Sequence, residues 1–511
     1  MNNTDAYRNR RFGGVLFLAL LLLPWTSAVA RSAEFVGGPY LCNPRMDGMT
    51  VGWVADAADV GQVQYGETES YGKTAEITLC DHIAQKPGAR SERFACRARL
   101  RGLTPDVTYH YKVAGNGIEG ERTGTFRIPK RDEPLLIVFQ SDASPVTDQD
   151  IAFVEEKVGR TVDLLVDAGD TIQHGQDFFD FKPSLYRRIP LVLAQGNHEP
   201  DWKQENIGFH YLDYEGGTAD RREHSVDYGP ARWIVGPYVQ YSDDFTQDQL
   251  TWIENRLKET DRSWKFYVCH HVFFSDGYHN ALRWGTGTRE GERRRASLWP
   301  VLMKHDVRVV VHGHDHVYQR TFPIDKDGNI TSEGTVNLDV ATGKSVRTQE
   351  SPWMARFIRS DDDKNNLLTG VTYMYLEGDK GTVEFYTRPV KQPKPSDYKL
   401  ADRFTFSPTR FHDDGSALPC KLKGFTAVAG YDGFKPLPLK VEGNQVGRIF
   451  VIFHDQHGIS HDDNPFALYC FCCSQTTTAH IKTVQYKFYG EESTHLLILP
   501  KNGLCRDQSI A

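Results

Sequence analysis

Gly313-His314-Asp315-His316 sets two imidazoles two residues apart, directly after the apolar run Val309-Val310-Val311. In an extended segment residues i and i+2 share a face, so both rings are expected to point the same way at the mouth of a strand, with Gly313 letting the backbone turn. Alone, such a pair fits a solvated loop as well as a metal site. Upstream, however, Asp142, Asp170, Asn197 and His270 each follow a short apolar run, so the full set offers two carboxylates, one amide and three imidazoles. A donor set without thiolate suits Zn, Fe or Mn and argues against a structural zinc site. One carboxylate can bridge two ions, and a two-ion site generates hydroxide near neutral pH and clamps phosphoryl oxygens during in-line displacement. Phosphoester hydrolysis is the natural use of that chemistry.

The elements that must position these residues are legible from patterning. Leu135 to Phe139, Leu164 to Val166, Leu191 to Leu193, Trp264 to Val268 and Val307 to Val311 are short, near-continuous apolar runs, as expected of strands buried on both faces. Between them, residues 151–158, 184–188, 246–259 and 296–305 read as helices, which makes an α/β layer. Ligands in such sheets bind outside the carboxyl ends of the strands, where all six candidates fall. Residues 225–235 read as a hairpin, and 371–376, 382–386 and 404–406 as further strands. Singly, Asp142 and Asp170 also have the ordinary reading of helix N-caps. His271 and His312 are expected to be core or supporting imidazoles and Cys269 a buried small hydrophobe. The arginine-rich run Arg289 to Arg295 reads as a solvated loop or helix start that could steer an anionic substrate.

Residues 38–128 are all strand and turn, with period-two patterning in Met49 to Trp53, Val60 to Tyr65, Phe94 to Leu100 and Thr108 to Val113, and read as an all-β sandwich. At the start of the chain, Arg8, Arg10 and Arg11 precede the apolar run Val15 to Leu23 and then Ala28-Val29-Ala30. That is the layout of a secretory signal over residues 1–30, cleaved after Ala30, with a secreted or periplasmic product and no membrane span remaining. The mature chain would hold 57 Lys and Arg against 66 Asp and Glu, a balance with no overall pull toward nucleic acid. Of nine cysteines, Cys80 and Cys96 flank a Lys/Pro/Gly/Arg loop and are the expected disulfide. Residues 408–511 show no repeat and no family signature. Their His454, His457, His461 and Cys470, Cys472, Cys473 follow no familiar zinc spacing.

The order Asp142, Gly169-Asp170, Gly196-Asn197-His198-Glu199, His270 and Gly313-His314-Asp315-His316 resembles the calcineurin-like metallophosphoesterase superfamily. The ending His316-Val317-Tyr318-Gln319-Arg320 resembles its purple acid phosphatase branch. So does the N-terminal segment Gly38-Pro39-Tyr40-Leu41 with Leu103-Thr104-Pro105, which is similar to that branch's fibronectin-III-like domain. The resemblance implies an N-terminal all-β sandwich (residues 38–128) followed by an α/β metallophosphoesterase domain (133–407) in four layers, a central β-sandwich flanked by helices. It implies two divalent or trivalent metal ions (Fe, Zn or Mn), with Asp170 bridging, Asp142 and His316 on the first, and Asn197, His270 and His314 on the second. His198 and His279 would be the catalytic histidines that touch the phosphate or protonate the leaving group of a small phosphoester. A phosphomonoester is the first expectation; a phosphodiester or nucleotide, and a non-catalytic metal- or phosphate-binding protein, are the alternatives. Two positions depart from the pattern. Gln173 stands where the branch carries the iron-binding tyrosine, so its colour should be missing. Ser144 stands where other members have a histidine, so weaker binding at the first metal is expected.

Overall fold

The computed structural model describes residues 32–82, 93–142, 146–170, 183–198, 223–237, 244–277, 289–343, 347, 350–358, 368–389 and 393–408, with four strands beyond residue 450. The apolar leader, Ser144, Gln173 and His279 lie outside these residues. Eight strands come first: β1 (Phe35–Arg45), β2 (Gly48–Ala55), β3 (Gln62–Gly66), β4 (Lys73–Ala75), β5 (Leu79–His82), β6 (Phe94–Arg101), β7 (Thr108–Gly115) and β8 (Ile118–Arg127). Then follow β9 (Leu135–Gln140), α1 (Asp148–Val158), β10 (Leu164–Asp167), α2 (Pro183–Tyr186), β11 (Leu191–Leu193), β12 (His224–Tyr228), β13 (Ala231–Val235), α3 (Gln247–Lys258) and β14 (Trp264–Val268). The domain continues with α4 (Arg289–Lys304), β15 (Val309–His312), β16 (Tyr318–Thr321), β17 (Val336–Val340), β18 (Met354–Ile358), β19 (Leu368–Glu377), β20 (Lys380–Pro389) and β21 (Lys399–Phe406).

A ten-stranded sheet in the order β21-β20-β19-β9-β10-β11-β1-β2-β6-β5 faces a seven-stranded sheet in the order β12-β13-β14-β15-β17-β16-β18. The apolar runs explain the facing. One pleat face of β9, β10, β14, β15 and β17 supplies Ile137, Phe139, Val166, Phe266, Val268, Val311 and Leu338 to a core between the sheets. The other face of the first sheet meets α1 and α2 through Leu136, Val138, Leu165, Ile151, Val154 and Leu185. The outer face of the second sheet meets α3 and α4 through Ile234, Val310, Ile253, Leu257, Leu298 and Trp299. The result is the expected four layers. Helix α1 starts at Thr147, whose hydroxyl accepts from Asp150 N while the Asp150 carboxylate accepts from Thr147 N. The cap is therefore Thr147, and Asp142 is left free for other work.

The N-terminal strands make a sandwich, with β4-β3-β7-β8 as a separate four-stranded sheet. Trp53, Val63, Tyr111 and Phe126 pack in the same core as the residues between the two large sheets. Its other sheet is not a separate one: Cys42 of β1 pairs in parallel with Leu191 of β11, which makes one sheet continuous from the N-terminal strands to the phosphoesterase strands. The expected disulfide is present, joining Cys80 and Cys96 across β5 and β6. No helix among the described residues is long and apolar enough to cross a membrane. In the tail, β22 (Val451–His454) pairs with β23 (Ala467–Cys470), and β24 (Lys482–Phe488) with β25 (Glu491–Leu497). The first register sets Val451 across from Cys470 and His454 across from Ala467, so His454 and Cys470 sit at opposite ends of that ladder. His457, His461, Cys472 and Cys473 lie outside the described residues.

Asp163 lies at the seam before β10 and accepts from Leu136 N at 2.9 Å and from Arg160 Nη2 at 2.9 Å. Burial pushes its carboxyl up from 3.8 to about 6 against the attraction of Arg160. The native chain then holds a proton that the unfolded chain has released, so stability falls as pH rises from about 4 to 6, by on the order of 3 kcal/mol at most. Asp163→Asn should flatten that part of the profile in urea melts. A variant whose stability falls as steeply as wild type would contradict the assignment.

Candidate metal centre

Strand register brings the ligand loops together. Gln140 pairs with Asp167 and Asp167 with Leu193, so β9, β10 and β11 end level and their loops carry Asp142, Asp170 and Asn197 side by side. In the facing sheet Val268 pairs with Val311, and the loops after β14 and β15 carry His270 and His314. The two sets meet at the open ends of the sheets. Asp170, His270 and His314 are buried and each offers a ligand atom within 4.8 Å of the others. His270 Nε2 lies 3.1 Å from Asp170 Oδ2, 3.1 Å from Asn197 Oδ1, 3.3 Å from His314 Nδ1 and 4.0 Å from Asp142 Oδ1. His316 Nε2 lies 3.3 Å from Asp142 Oδ1. All six residues singled out for metal binding thus converge.

His314 and His316 do not sit in an extended segment as expected. Their φ values are 79° and 50°, and those of Asp142 and Asp170 are 55° and 56°. Four of the six candidates therefore occupy left-handed backbone, which costs a non-glycine residue on the order of 1 kcal/mol or more and persists only where surroundings enforce it. The enforcement is visible. The Asp142 Oδ2 accepts from the His314 N–H at 2.7 Å and from Ser141 Oγ at 2.5 Å, while Ser141 Oγ also reaches Gly169 O at 3.1 Å. Asp170 Oδ1 accepts from the His198 N–H at 2.7 Å. The consequence for the two histidines is that His314 turns toward His270 and His316 toward Asp142, one to each half of the site. Gly169, at φ 95°, has room for no side chain, since a Cβ there would come within 2.7 Å of Gly196 N and 2.9 Å of His270 Nδ1.

The donors fit cations. His270 Nδ1 lies 2.8 Å from Ala168 O, which can only accept, so Nδ1 carries a hydrogen and Nε2 is the nitrogen turned into the site. Nε2 faces the oxygens of Asp170 and Asn197, an arrangement that positive charge, a proton or a metal ion, satisfies. Asp142 Oδ1 is buried and faces the same space, 3.3 Å from His316 Nε2. Burial pushes Asp142 up, but the neighbouring His270 and His316 outweigh it and hold the carboxyl down at about 2. The His316 imidazole is raised in turn by its hydrogen bond to Asp142.

The surrounding residues sort clearly. His312 is fully buried, its pKa pushed down to about 3 by burial, and is a supporting imidazole as expected. The His271 ring is buried and packs 4.8 Å from that of His314. Burial pushes the Cys269 thiol up to about 12, consistent with a small hydrophobe. The arginine-rich run is the start of α4, one of its two readings, but Arg294 and Arg295 are buried rather than solvated, and Arg295 donates to Phe273 O at 3.0 Å. Their stems and guanidinium planes pack on Phe273 and Phe274, a contact that makes burial tolerable. His198 keeps its side chain 35% exposed, with Nε2 3.7 Å from Asp170 Oδ2. The sequence reading missed Ser141, although a polar residue closing an apolar strand beside a candidate ligand is a usable signal.

The family model for calcineurin-like phosphoesterases matches residues 141–318, which span every candidate ligand. Purple acid phosphatase 21 of Arabidopsis thaliana is 27% identical over 245 residues, covering 44% of this chain and 53% of its own length. Probable inactive purple acid phosphatase 27 of Arabidopsis thaliana is 23% identical, covering 61% of each chain. A nucleotide pyrophosphatase/phosphodiesterase of Hordeum vulgare is 29% identical over 29% of this chain and 44% of its own. The chain therefore spans about half to three-fifths of the length of the first two relatives. Among solved structures, a purple acid phosphatase from yellow lupin (Lupinus luteus) seeds superposes with a TM-score of 0.60 at 18% identity, covering 76% of this chain and 78% of that one. Residues 141–318 are a calcineurin-like phosphoesterase domain, set in a chain that shares the fold of purple acid phosphatases.

Proposed function

We propose that this chain is an exported dinuclear-metal phosphoester hydrolase acting first on small phosphomonoesters. The observation that carries the reading is the convergence of Asp142, Asp170, Asn197, His270, His314 and His316 at the abutting strand ends, with His270 Nε2 turned on the oxygens of Asp170 and Asn197. Two ions of Fe, Zn or Mn would supply a hydroxide nucleophile near neutral pH and neutralise charge on the phosphoryl oxygens. Asp142 and His316 would hold one ion, Asn197, His270 and His314 the other, and Asp170 both. Asp170 suits the shared position because its Oδ2 faces His270 while its Oδ1 is fixed by the His198 N–H. The partly exposed His198 imidazole then lies where it can contact a phosphate oxygen and hand a proton to the departing alcohol. His279 is proposed for the same task. The apolar run before Ala28-Val29-Ala30 supports export.

The barley relative's name favours a second reading, a diesterase on the same site. The names of relatives called probable inactive, with Gln173 and Ser144 here, favour a third, a metal-binding protein without turnover. Initial rates on an aryl phosphate and on a bis-aryl phosphate, with and without chelator, separate the three. Faster chelator-sensitive cleavage of the monoester is expected. Faster diester cleavage would establish the second reading, and no turnover of either by a metal-retaining chain the third.

A further inference from the structure

Two buried polar pairs of the same construction lie one layer behind the ligand loops. In the first sheet, Asp167 and Gln140 are cross-strand neighbours at the ends of β10 and β9. Asp167 Oδ1 accepts from the N–H of Gly169 at 2.9 Å, and its Oδ2 from Gln140 Nε2 at 2.6 Å. In the second sheet, Asp339 and Gln319 are cross-strand neighbours at the ends of β17 and β16. Asp339 Oδ1 accepts from the N–H of Ala341 at 3.1 Å, and its Oδ2 from Gln319 Nε2 at 3.1 Å. Each aspartate thus turns the chain through the amide two residues on, and each glutamine clamps that aspartate from the next strand.

Their location makes the pairs informative. By alternation they share the pleat face of Val138 and Leu165 in one sheet and of Val310 in the other, the layer that meets the helices, where buried His312 and Asn337 lie beside the second pair. Asp167 and Asp339 are 0% exposed and Gln140 and Gln319 are 4% and 0%. Burial pushes the Asp339 carboxyl well above its usual range. Were there no backbone N–H for each aspartate to satisfy, an apolar pair of similar volume would be the more stable filling at such a position. What the polar pairs do instead is fix backbone. The Asp167 turn leads straight into Gly169 and Asp170, two consecutive residues in left-handed conformation. The Asp339 turn leads to Gly343, where a Cβ would lie 3.1 Å from the Cβ and from the carbonyl oxygen of His316.

We propose that Asp167 and Gln140 form a buried brace that positions Asp170 for metal, and that Asp339 and Gln319 form its counterpart behind His316. These four are positioning residues and contact neither metal nor substrate. The inference rests on the metal-site reading above, and its test uses metal uptake by the metal-free full chain as the readout. Zn²⁺ is titrated calorimetrically into wild type, Asp167→Asn, and the apolar double variant Gln140→Leu/Asp167→Val, with thermal melts of each metal-free protein alongside. The double variant should melt only slightly below wild type, by about the loss of the Gly169 N–H bond, and bind Zn²⁺ about 10- to 100-fold more weakly, the scale typical of groups that orient metal ligands. Asp167→Asn keeps an acceptor for Gly169 N and can pair with a rotated Gln140 amide, so it should bind within a few-fold of wild type, about the loss of one weakened hydrogen bond.

Wild-type affinity in the apolar pair would overturn the proposal, as would a loss matched by its unfolded fraction or an equal loss in Asp167→Asn. Folded wild type without saturable Zn²⁺ uptake would instead overturn the metal-site reading itself.

Discussion

Asp170→Ala should abolish turnover of an aryl phosphate, lowering kcat by about a thousandfold or more, the scale of removing a principal electrostatic group from a transition state. Asp170 is 1% exposed and presents Oδ2 to His270 at 3.1 Å. On the proposed shared role its loss removes a donor from both halves of the site, so metal content per chain should fall in parallel. Stability of the metal-free chain should move the other way or not at all, because a buried carboxylate facing Asp142 across the same space is no longer confined there. Alanine at φ 56° carries its own backbone strain, and Asp170→Asn, which tolerates that conformation better, separates strain from charge. Asp170→Asn should melt at or above wild type without metal and Asp170→Ala slightly below it, while both lose metal and turnover. A variant that keeps its metal and its rate would remove Asp170 from the site.

Gly313→Ala is expected to be the most damaging change of a single methyl group. A Cβ there would overlap Ser141 Oγ and Asp142 Oδ2, and neither can retreat freely. Ser141 is bonded to Asp142 and Gly169 O, and Asp142 is bonded to the N–H of His314. Overpacking of this kind costs about 1 to 3 kcal/mol, and relief requires moving the Asp142 carboxylate away from His316. Melting temperature should therefore drop, and Zn²⁺ affinity should drop with it by about tenfold or more. Adding Ser141→Gly removes one of the two overlaps, so the double variant should recover part of the stability but not the affinity. Full recovery of both would show that Asp142 does not depend on this contact.

Local signals carried much of the fold and the site. Apolar runs of strand length closing in Asp, Asn or His marked β9, β10, β11, β14 and β15, and the ligand loops follow them. The Cys80–Cys96 pair and the hairpin of β12 and β13 were equally readable, because each joins segments close in sequence. What escaped is long-range. The parallel pairing of β1 with β11 joins residues 42 and 191, and no local pattern announces it. Ser141 and Gly313 matter because the fold brings them together across a sequence separation of 172, leaving no room for a Cβ, not because of their neighbours in sequence. The Gln140–Asp167 pair sits 27 residues apart and reads, in sequence, as two polar residues ending two strands. His314 and His316 were expected in extended backbone because an i, i+2 pair after a valine run suggests it. The contacts of Asp142 with the His314 amide and with His316 instead divide them between two halves of the site. Arg294 and Arg295 look solvated by charge alone, and the rings of Phe273 and Phe274 beneath them, with the Phe273 carbonyl that Arg295 reaches, help to explain their burial.

The most direct test is a calorimetric titration of the metal-free, full-length chain with Zn²⁺, read together with aryl phosphatase activity at each point. Saturation at two equivalents per chain is expected, in two steps, with the weaker step at the half of the site that holds Asp142 and His316, and with turnover rising on the second. A folded chain that shows no saturable uptake, or that turns over aryl phosphate equally well in excess chelator, would contradict a two-ion phosphoesterase centre at these six residues.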